Sequence, residues 1–295
     1  SGAAYVFSRT GTMWQQVAVL RPTLDNAALF GAAVAIAGST IVVGAPHQGG
    51  ANPNGEAFVY RDVGGTWTFD RSLLPSPATP SGQFGSAVAV SGTTIAVGAP
   101  FANGALGGVY VFAGAQVFSS AGIGGGGQLG SSIGLDGNLM AVGAPFEAVA
   151  GKASAGTVRV FRFVGASWTA VGPPLISQSG AAFDHFGSAV AVDRDHVIVG
   201  APDDDSGGAL NSGAVFFFRC GGSGACPVQE GSVTFPNGAM RASNPEQLDK
   251  FGSSVAVDGD TFVAGAPDED SNATGIDGNQ GNNTAVGAGA MYVLR

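Results

Sequence analysis

Small and branched apolar residues alternate along the chain in short runs, and each run is closed by a turn. Ala87-Val88-Ala89-Val90 stops at Ser91-Gly92, and the sequence turns apolar again through Ile95-Ala96-Val97. A period of two predicts a β-strand with two distinct faces, and a short Gly-containing turn between two such runs predicts a hairpin. The same hairpin recurs along the 295 residues. Phe30-Gly31 leads to Gly44-Ala45-Pro46, Phe84-Gly85 to Gly98-Ala99-Pro100, Leu129-Gly130 to Gly143-Ala144-Pro145, Phe186-Gly187 to Gly200-Ala201-Pro202 and Phe251-Gly252 to Gly265-Ala266-Pro267. In all five, the Phe or Leu stands 14 positions before the Gly of Gly-Ala-Pro. A variable polar loop follows, then an apolar third strand such as Val215-Phe216-Phe217-Phe218 or Met291-Tyr292-Val293-Leu294. Most repeats add a fourth strand, announced by Trp67 or Trp168. Four antiparallel strands per repeat is the grammar of a β-propeller blade.

These Phe-Gly…Gly-Ala-Pro units resemble the FG-GAP repeats of integrin α-subunit head propellers and of secreted bacterial FG-GAP proteins, and the resemblance covers essentially the whole chain. It implies an all-β propeller of four-stranded antiparallel blades, six or seven of them when the ring is complete. The expected organisation is one domain over 1–295, with a partial blade at 1–29 and repeats at 30–83, 84–128, 129–185, 186–250 and 251–295. The resemblance implies no particular chemistry, because function on such a scaffold resides in its loops.

The ends do not close neatly. Ala3 to Phe7 reads as a third strand and Trp14 to Leu20 as a fourth, while the sequence stops after the third strand of the last repeat. That is one strand more than five four-stranded blades hold. If Trp14 to Leu20 completes the last blade, Ala3 to Phe7 competes with Met291 to Leu294 for one place. Unpaired edges invite pairing with other chains, so the expectation is self-association or membership of a larger chain rather than a closed five-bladed ring.

Composition narrows the partners. Fifty Gly and 15 Pro suit turn-rich β structure, and 45% hydrophobic residues exclude an acidic disordered chain. No stretch approaches the roughly 18 apolar residues of a membrane helix, so no membrane insertion is expected. Only 11% of residues are charged, the net charge is −9, and Lys occurs only at 152 and 250. Without a basic cluster, nucleic acids and anionic membrane surfaces are excluded as partners. Cys220 and Cys226 are joined by Gly-Gly-Ser-Gly-Ala, and the expectation is a local disulfide in an oxidising compartment, against two inert thiols. The chain opens at Ser1 without a leader, as expected of a processed product or fragment of a secreted or surface protein.

In integrin-type repeats the hairpin turn is often an Asp-x-Asp-x-Asp-Gly calcium loop. Here the turns are too short for six or more oxygens, and Asp136, Asp193 and Asp258 read as turn formers. Acid gathers instead after two Gly-Ala-Pro segments, in Asp203-Asp204-Asp205 and Asp268-Glu269-Asp270. The metal expectation is Ca²⁺ held by Asp203, Asp205, Asp268 and Asp270; the alternative is a solvated acidic loop. Asn272 and Asn282 each open a glycosylation sequon. In the up-and-down blade these loops share a face with Asp184-His185 and Asp249-Lys250, which is the expected ligand face.

No catalytic residue is nominated. His47, His185 and His196 lie in no motif with a mechanical meaning, and neighbours such as Asp184 and His185 point apart on an extended chain. Trp14, Trp67 and Trp168 recur at one repeat position and are expected to pack between blades. The expected function is non-enzymatic binding or scaffolding of a protein or glycan outside the cell, through the loop face and the open terminal strands. A lectin with sites repeated between blades is the alternative.

Overall fold

Each Phe-Gly…Gly-Ala-Pro segment folds into the expected hairpin in the computed structural model, which describes residues 2–22, 29–47, 54–113, 116–119, 126–221, 228–229, 239–275 and 278–294. The first turn residue is left-handed in all five: Gly38, Gly92, Gly137, Arg194 and Gly259 have φ of 52° to 58°. Four are glycines, which take this conformation without strain. The chain divides into two compact units, Ser1–Ile133 and Gly134–Arg295.

The first unit opens with a two-stranded sheet, β1 (Ala4–Thr10) paired antiparallel with β2 (Met13–Leu20). Two four-stranded meanders follow. The first runs β3 (Ala33–Ala37), β4 (Thr40–Ala45), β5 (Glu56–Val63), β6 (Thr66–Leu73). The second runs β7 (Ala87–Ser91), β8 (Thr94–Gly98), β9 (Val109–Ala113), β10 (Gln116–Ser119). A single helical turn, α1 (Ala102–Ala105), fills the loop after Gly98-Ala99-Pro100.

In the second unit, whose boundary falls inside β11 (Ser132–Asp136), that strand continues into β12 (Leu139–Ala144), β13 (Thr157–Val164) and β14 (Ser167–Ala170). The fourth repeat contributes β15 (Ala189–Asp193), β16 (His196–Ala201) and β17 (Ala214–Arg219). Its fourth strand is split, since β18 (Val228–Gln229) pairs with Phe218 and Arg219 whereas β19 (Ala239–Met240) pairs with Val215 and Phe216. The fifth repeat is three-stranded: β20 (Ser254–Asp258), β21 (Thr261–Ala266), β22 (Ala290–Leu294). Ala3 to Phe7 and Met291 to Leu294 therefore do not compete here, because β1 pairs with β2 and β22 with β21.

One joint repeats within each unit and holds neighbouring sheets together. In the third strand, alternate residues face their own repeat and the next one. Phe216 and Phe218 lie with Phe186, the aromatic residue of their own Phe-Gly, at ring separations of 5.3 and 5.9 Å. Val215 and Phe217 instead join Phe251 of the fifth repeat, and Phe217 stands 4.6 Å from Phe262. The glycine just before the third strand seats the next Phe or Leu: a side-chain carbon on Gly55, Gly107, Gly156 or Gly213 would overlap the carbonyl of Phe84, Leu129, Phe186 or Phe251. The glycine of Gly-Ala-Pro is equally constrained, because a carbon on Gly44, Gly98 or Gly200 would overlap the carbonyl of Gly85, Gly130 or Gly252. Such positions exclude any side chain, as the overlapped atoms are backbone that does not rotate away. Carboxylates fasten the hairpin tips in the second unit, where Asp136 accepts from Arg194 N (2.8 Å) and Asp193 from Gly259 N (3.0 Å). The acids read as turn formers thus also bond the turn of the following repeat.

Candidate functional site

The loops before Phe-Gly and after Gly-Ala-Pro meet in the fourth and fifth repeats. The residue before Phe or Leu is left-handed in all five repeats, Leu29, Gln83, Gln128, His185 and Lys250 having φ of 47° to 62°. In the fourth and fifth repeats this turn brings charge together in two layers.

The outer layer pairs the residue before Phe with the first acid after Gly-Ala-Pro. His185 Nδ1 lies 2.7 Å from Asp203 Oδ2, with Phe146 packed edge-on against the imidazole at 4.9 Å. At the matching positions Lys250 Nζ lies 3.3 Å from Asp268 Oδ2. The inner layer is buried. Asp184 and Asp204 are 1% and 0% exposed, Asp249 and Glu269 2% and 1%. Asp184 and Asp249 fold back to accept from the amides of Ala181 and Glu246, three residues earlier.

Burial pushes Asp184 up to about 6, with Asp204 and Asp205 adding repulsion that the Ala181 amide partly offsets. Burial likewise raises Asp249 to about 6, with Glu269 and Glu246 nearby. The two inner pairs differ in one respect. Arg241 Nη2 donates to Asp204 Oδ1 at 3.1 Å, whereas no Lys or Arg among the described residues pairs with Asp249 or Glu269. Glu269 accepts from Asn244 (3.1 Å), whose own Oδ1 accepts from Tyr292 (2.8 Å). Burial first, and then the adjoining acids, raise the Tyr292 hydroxyl.

The four acids expected to share a cation turn to separate partners. Asp203 and Asp268 pair with His185 and Lys250, Asp205 Oδ1 accepts from Asn211 N at 2.6 Å, and Asp270 Oδ1 from Gly287 N at 2.7 Å. Among the described residues no three His, Cys, Asp or Glu side chains converge into a metal site. Asp184 and His185 also part company, one facing inward and the other toward Asp203. The two sequons interlock, Asn272 N donating to Asn282 O and its side chain to Thr284. Cys220 is fully buried; Cys226, its expected partner, lies outside the described residues. Of the three tryptophans Trp168 is buried against Phe163, Trp67 is half-buried, and Trp14 is exposed. Asp204, Glu269 and Arg241 are the residues that sequence reasoning passed over. For Asp204 and Glu269 the signal was position: the second acid after Gly-Ala-Pro faces the acid two residues before Phe-Gly.

Successive four-stranded antiparallel meanders, joined through Phe-Gly and Gly-Ala-Pro, define the class as an all-β repeat protein of the propeller type. The FG-GAP repeat family profile matches residues 14–60, 67–112, 174–218 and 238–294, more than half of the sequence. The chain belongs to the FG-GAP repeat family. The comparison with curated proteins finds no match. Among solved structures the chain is similar to the crystal structure of Chaetomium thermophilum Sqt1, with a TM-score of 0.54, 13% identity and 90% of this chain covered. It spans 62% of that chain's length, and at this identity the likeness shows the fold alone. The profile leaves out the third repeat, where Leu129 replaces Phe, yet β11 to β14 form a blade like the others.

Proposed function

We propose that this chain is a non-enzymatic binding and scaffolding module of a secreted or cell-surface protein. It engages protein partners through the loop face of the fourth and fifth repeats and through its open terminal strands. The observation that carries the reading is the two-layered loop arrangement. Part-exposed polar pairs, His185–Asp203 and Lys250–Asp268, lie over buried acids on a rigid sheet, in a protein with only 11% charged residues. Loops fixed on a rigid scaffold suit recognition, while general acid–base work needs convergent titratable groups on a reacting atom. A disulfide between Cys220 and Cys226 belongs to this reading, as does an oxidising compartment. The second reading, a lectin, is favoured by the repetition of the outer pair at matching positions of two repeats.

A glycan array separates the two readings. Scaffolding through protein contacts predicts no array signal; a signal abolished by both His185→Ala and Lys250→Ala installs the lectin. Sedimentation velocity tests the assembly half of the proposal, which predicts a mass that rises with concentration. A monomer at every concentration contradicts it.

A further inference from the structure

In the third repeat the loop after Gly-Ala-Pro encloses a small cavity with the segment that leads on to the fourth repeat. One wall is a tight hairpin. Val149 and Lys152 exchange both backbone bonds, at 3.0 and 2.9 Å, across Ala150 and Gly151, whose φ of 51° and 84° are left-handed as a two-residue hairpin turn requires. The other wall is fixed at both ends. Leu175 is buried and exchanges two backbone bonds with Val158 of β13, and Gly180 N closes a turn onto Ser177 O. Phe183 N and Phe186 N then donate to Ala153 O and Ala155 O, so the two walls are tied together inside the second unit.

The cavity between them measures about 140 Å³, and Val149, Ala155 and Ile176 line it, with Ser177 and Gln178 adding polar groups. An apolar cavity of about 150 Å³ takes a group the size of benzene. Lys152 also lines it, and its Nζ donates to Gly180 O, a neutral acceptor that holds the ammonium beside the apolar wall. The nearby acids are engaged elsewhere. Glu147 pairs with Arg159 and Asp203 with His185, while Asp184 senses the ammonium across space but folds back onto Ala181 N. Among the described residues Lys152 therefore forms no ion pair, in a chain of net charge −9 with only two lysines. A fixed ammonium with spare donors at an apolar cavity complements a carboxylate carried on a short aliphatic group.

We propose that this cavity binds the C-terminal end of a partner polypeptide whose last residue is Leu, Ile or Val. The aliphatic side chain enters against Val149, Ala155 and Ile176, and the terminal carboxylate pairs with Lys152 Nζ. The proposal rests on the scaffolding reading and names the chemistry of the partner. Ser177 and Gln178 supply a hydroxyl and an amide for the last peptide group, which a free aliphatic acid lacks. Both halves of the ligand are needed, because a part-exposed ion pair gains little alone and so small a cavity gains little without it.

NMR titration of the isotope-labelled full chain with the peptide Gly-Ser-Gly-Leu tests it, read at the amides of Lys152 and Gly180. The free-acid peptide is expected to bind with a Kd of about 0.1 to 1 mM. The same peptide with a C-terminal amide, and a free-acid peptide ending in Gly, are each expected to bind at least about tenfold more weakly, the first losing the charge and the second the apolar burial. Lys152→Met, at an exposed position and with the aliphatic stem kept, is expected to weaken the free-acid peptide at least about tenfold and to leave the amide unchanged. Equal affinity of acid and amide, binding untouched by Lys152→Met, or no binding at about 10 mM overturns the site. Isovalerate that binds where the peptide does not overturns the peptide end. A chain that self-associates in sedimentation velocity but ignores every peptide overturns this site alone; one that does neither overturns scaffolding as well.

Discussion

The side of the fourth repeat that faces the fifth and the corresponding side of the fifth repeat carry the same residue pattern in different surroundings. On the first, Gly200 lies against the Gly252 carbonyl, Val215 and Phe217 pack with Phe251 and Phe262, and Asp193 accepts from Gly259. On the second, Gly265, Met291, Val293 and Asp258 repeat those positions, but the last three are exposed and a carbon on Gly265 would meet the Ser254 side chain instead of a backbone carbonyl. The repeat therefore encodes a joint as well as a blade. Strand glycines, which weaken a sheet locally, are explained by the joint rather than by the strand.

Replacing the strand glycines breaks this comparison most severely. Gly200→Ala is expected to cost about 3 kcal/mol, because the Gly252 carbonyl has no freedom to move aside. Gly265→Ala meets only a rotatable Ser254 hydroxyl and, in the dilute chain, is expected to cost less than about 1 kcal/mol. Urea midpoints measure both, and equal losses would erase the distinction.

The inner acid pairs sharpen it further. Arg241→Met leaves Asp204 buried without its guanidinium and is expected to cost about 2 to 3 kcal/mol at pH 7.5, read from the same unfolding curves. Among the described residues the fifth repeat has no such cation to lose. Both Asp184 and Asp249 hold their proton up to about pH 6 when folded, well above an unfolded carboxyl. Their contribution is fully present below about pH 4 and is lost as the pH rises through 6. Stability is thus expected to rise between pH 7.5 and 5. Asp249→Asn, which keeps the oxygen that accepts from Glu246 N, is expected to gain about 1 to 2 kcal/mol at pH 7.5 and to flatten that rise. An unchanged slope in this variant would place the titration elsewhere. Smallest is the tip contact: Asp193→Ala is expected to cost about 1 kcal/mol and Asp258→Ala close to nothing, a difference that a thermal melt resolves.

Hairpins, third strands and repeat spacing were legible because alternation and Phe-Gly…Gly-Ala-Pro are local signals. The split fourth strand was not, since β18 and β19 are two residues each and owe their place to β17. The site was legible in part. Asp184, His185, Asp249 and Lys250 do meet the acids after Gly-Ala-Pro, but alternation along the loop decides which acid faces in. It turns Asp204 and Glu269 inward, whereas Asp203 and Asp268 meet His185 and Lys250 in the outer layer. Arg241 lies 37 residues from Asp204, beyond the reach of any short motif.

Hydrogen exchange of the backbone amides in Gly200→Ala tests most directly whether the repeat encodes a joint. The account predicts that protection falls together in the fourth and the fifth repeats, because the added carbon displaces the Gly252 carbonyl. A loss confined to β16 contradicts it.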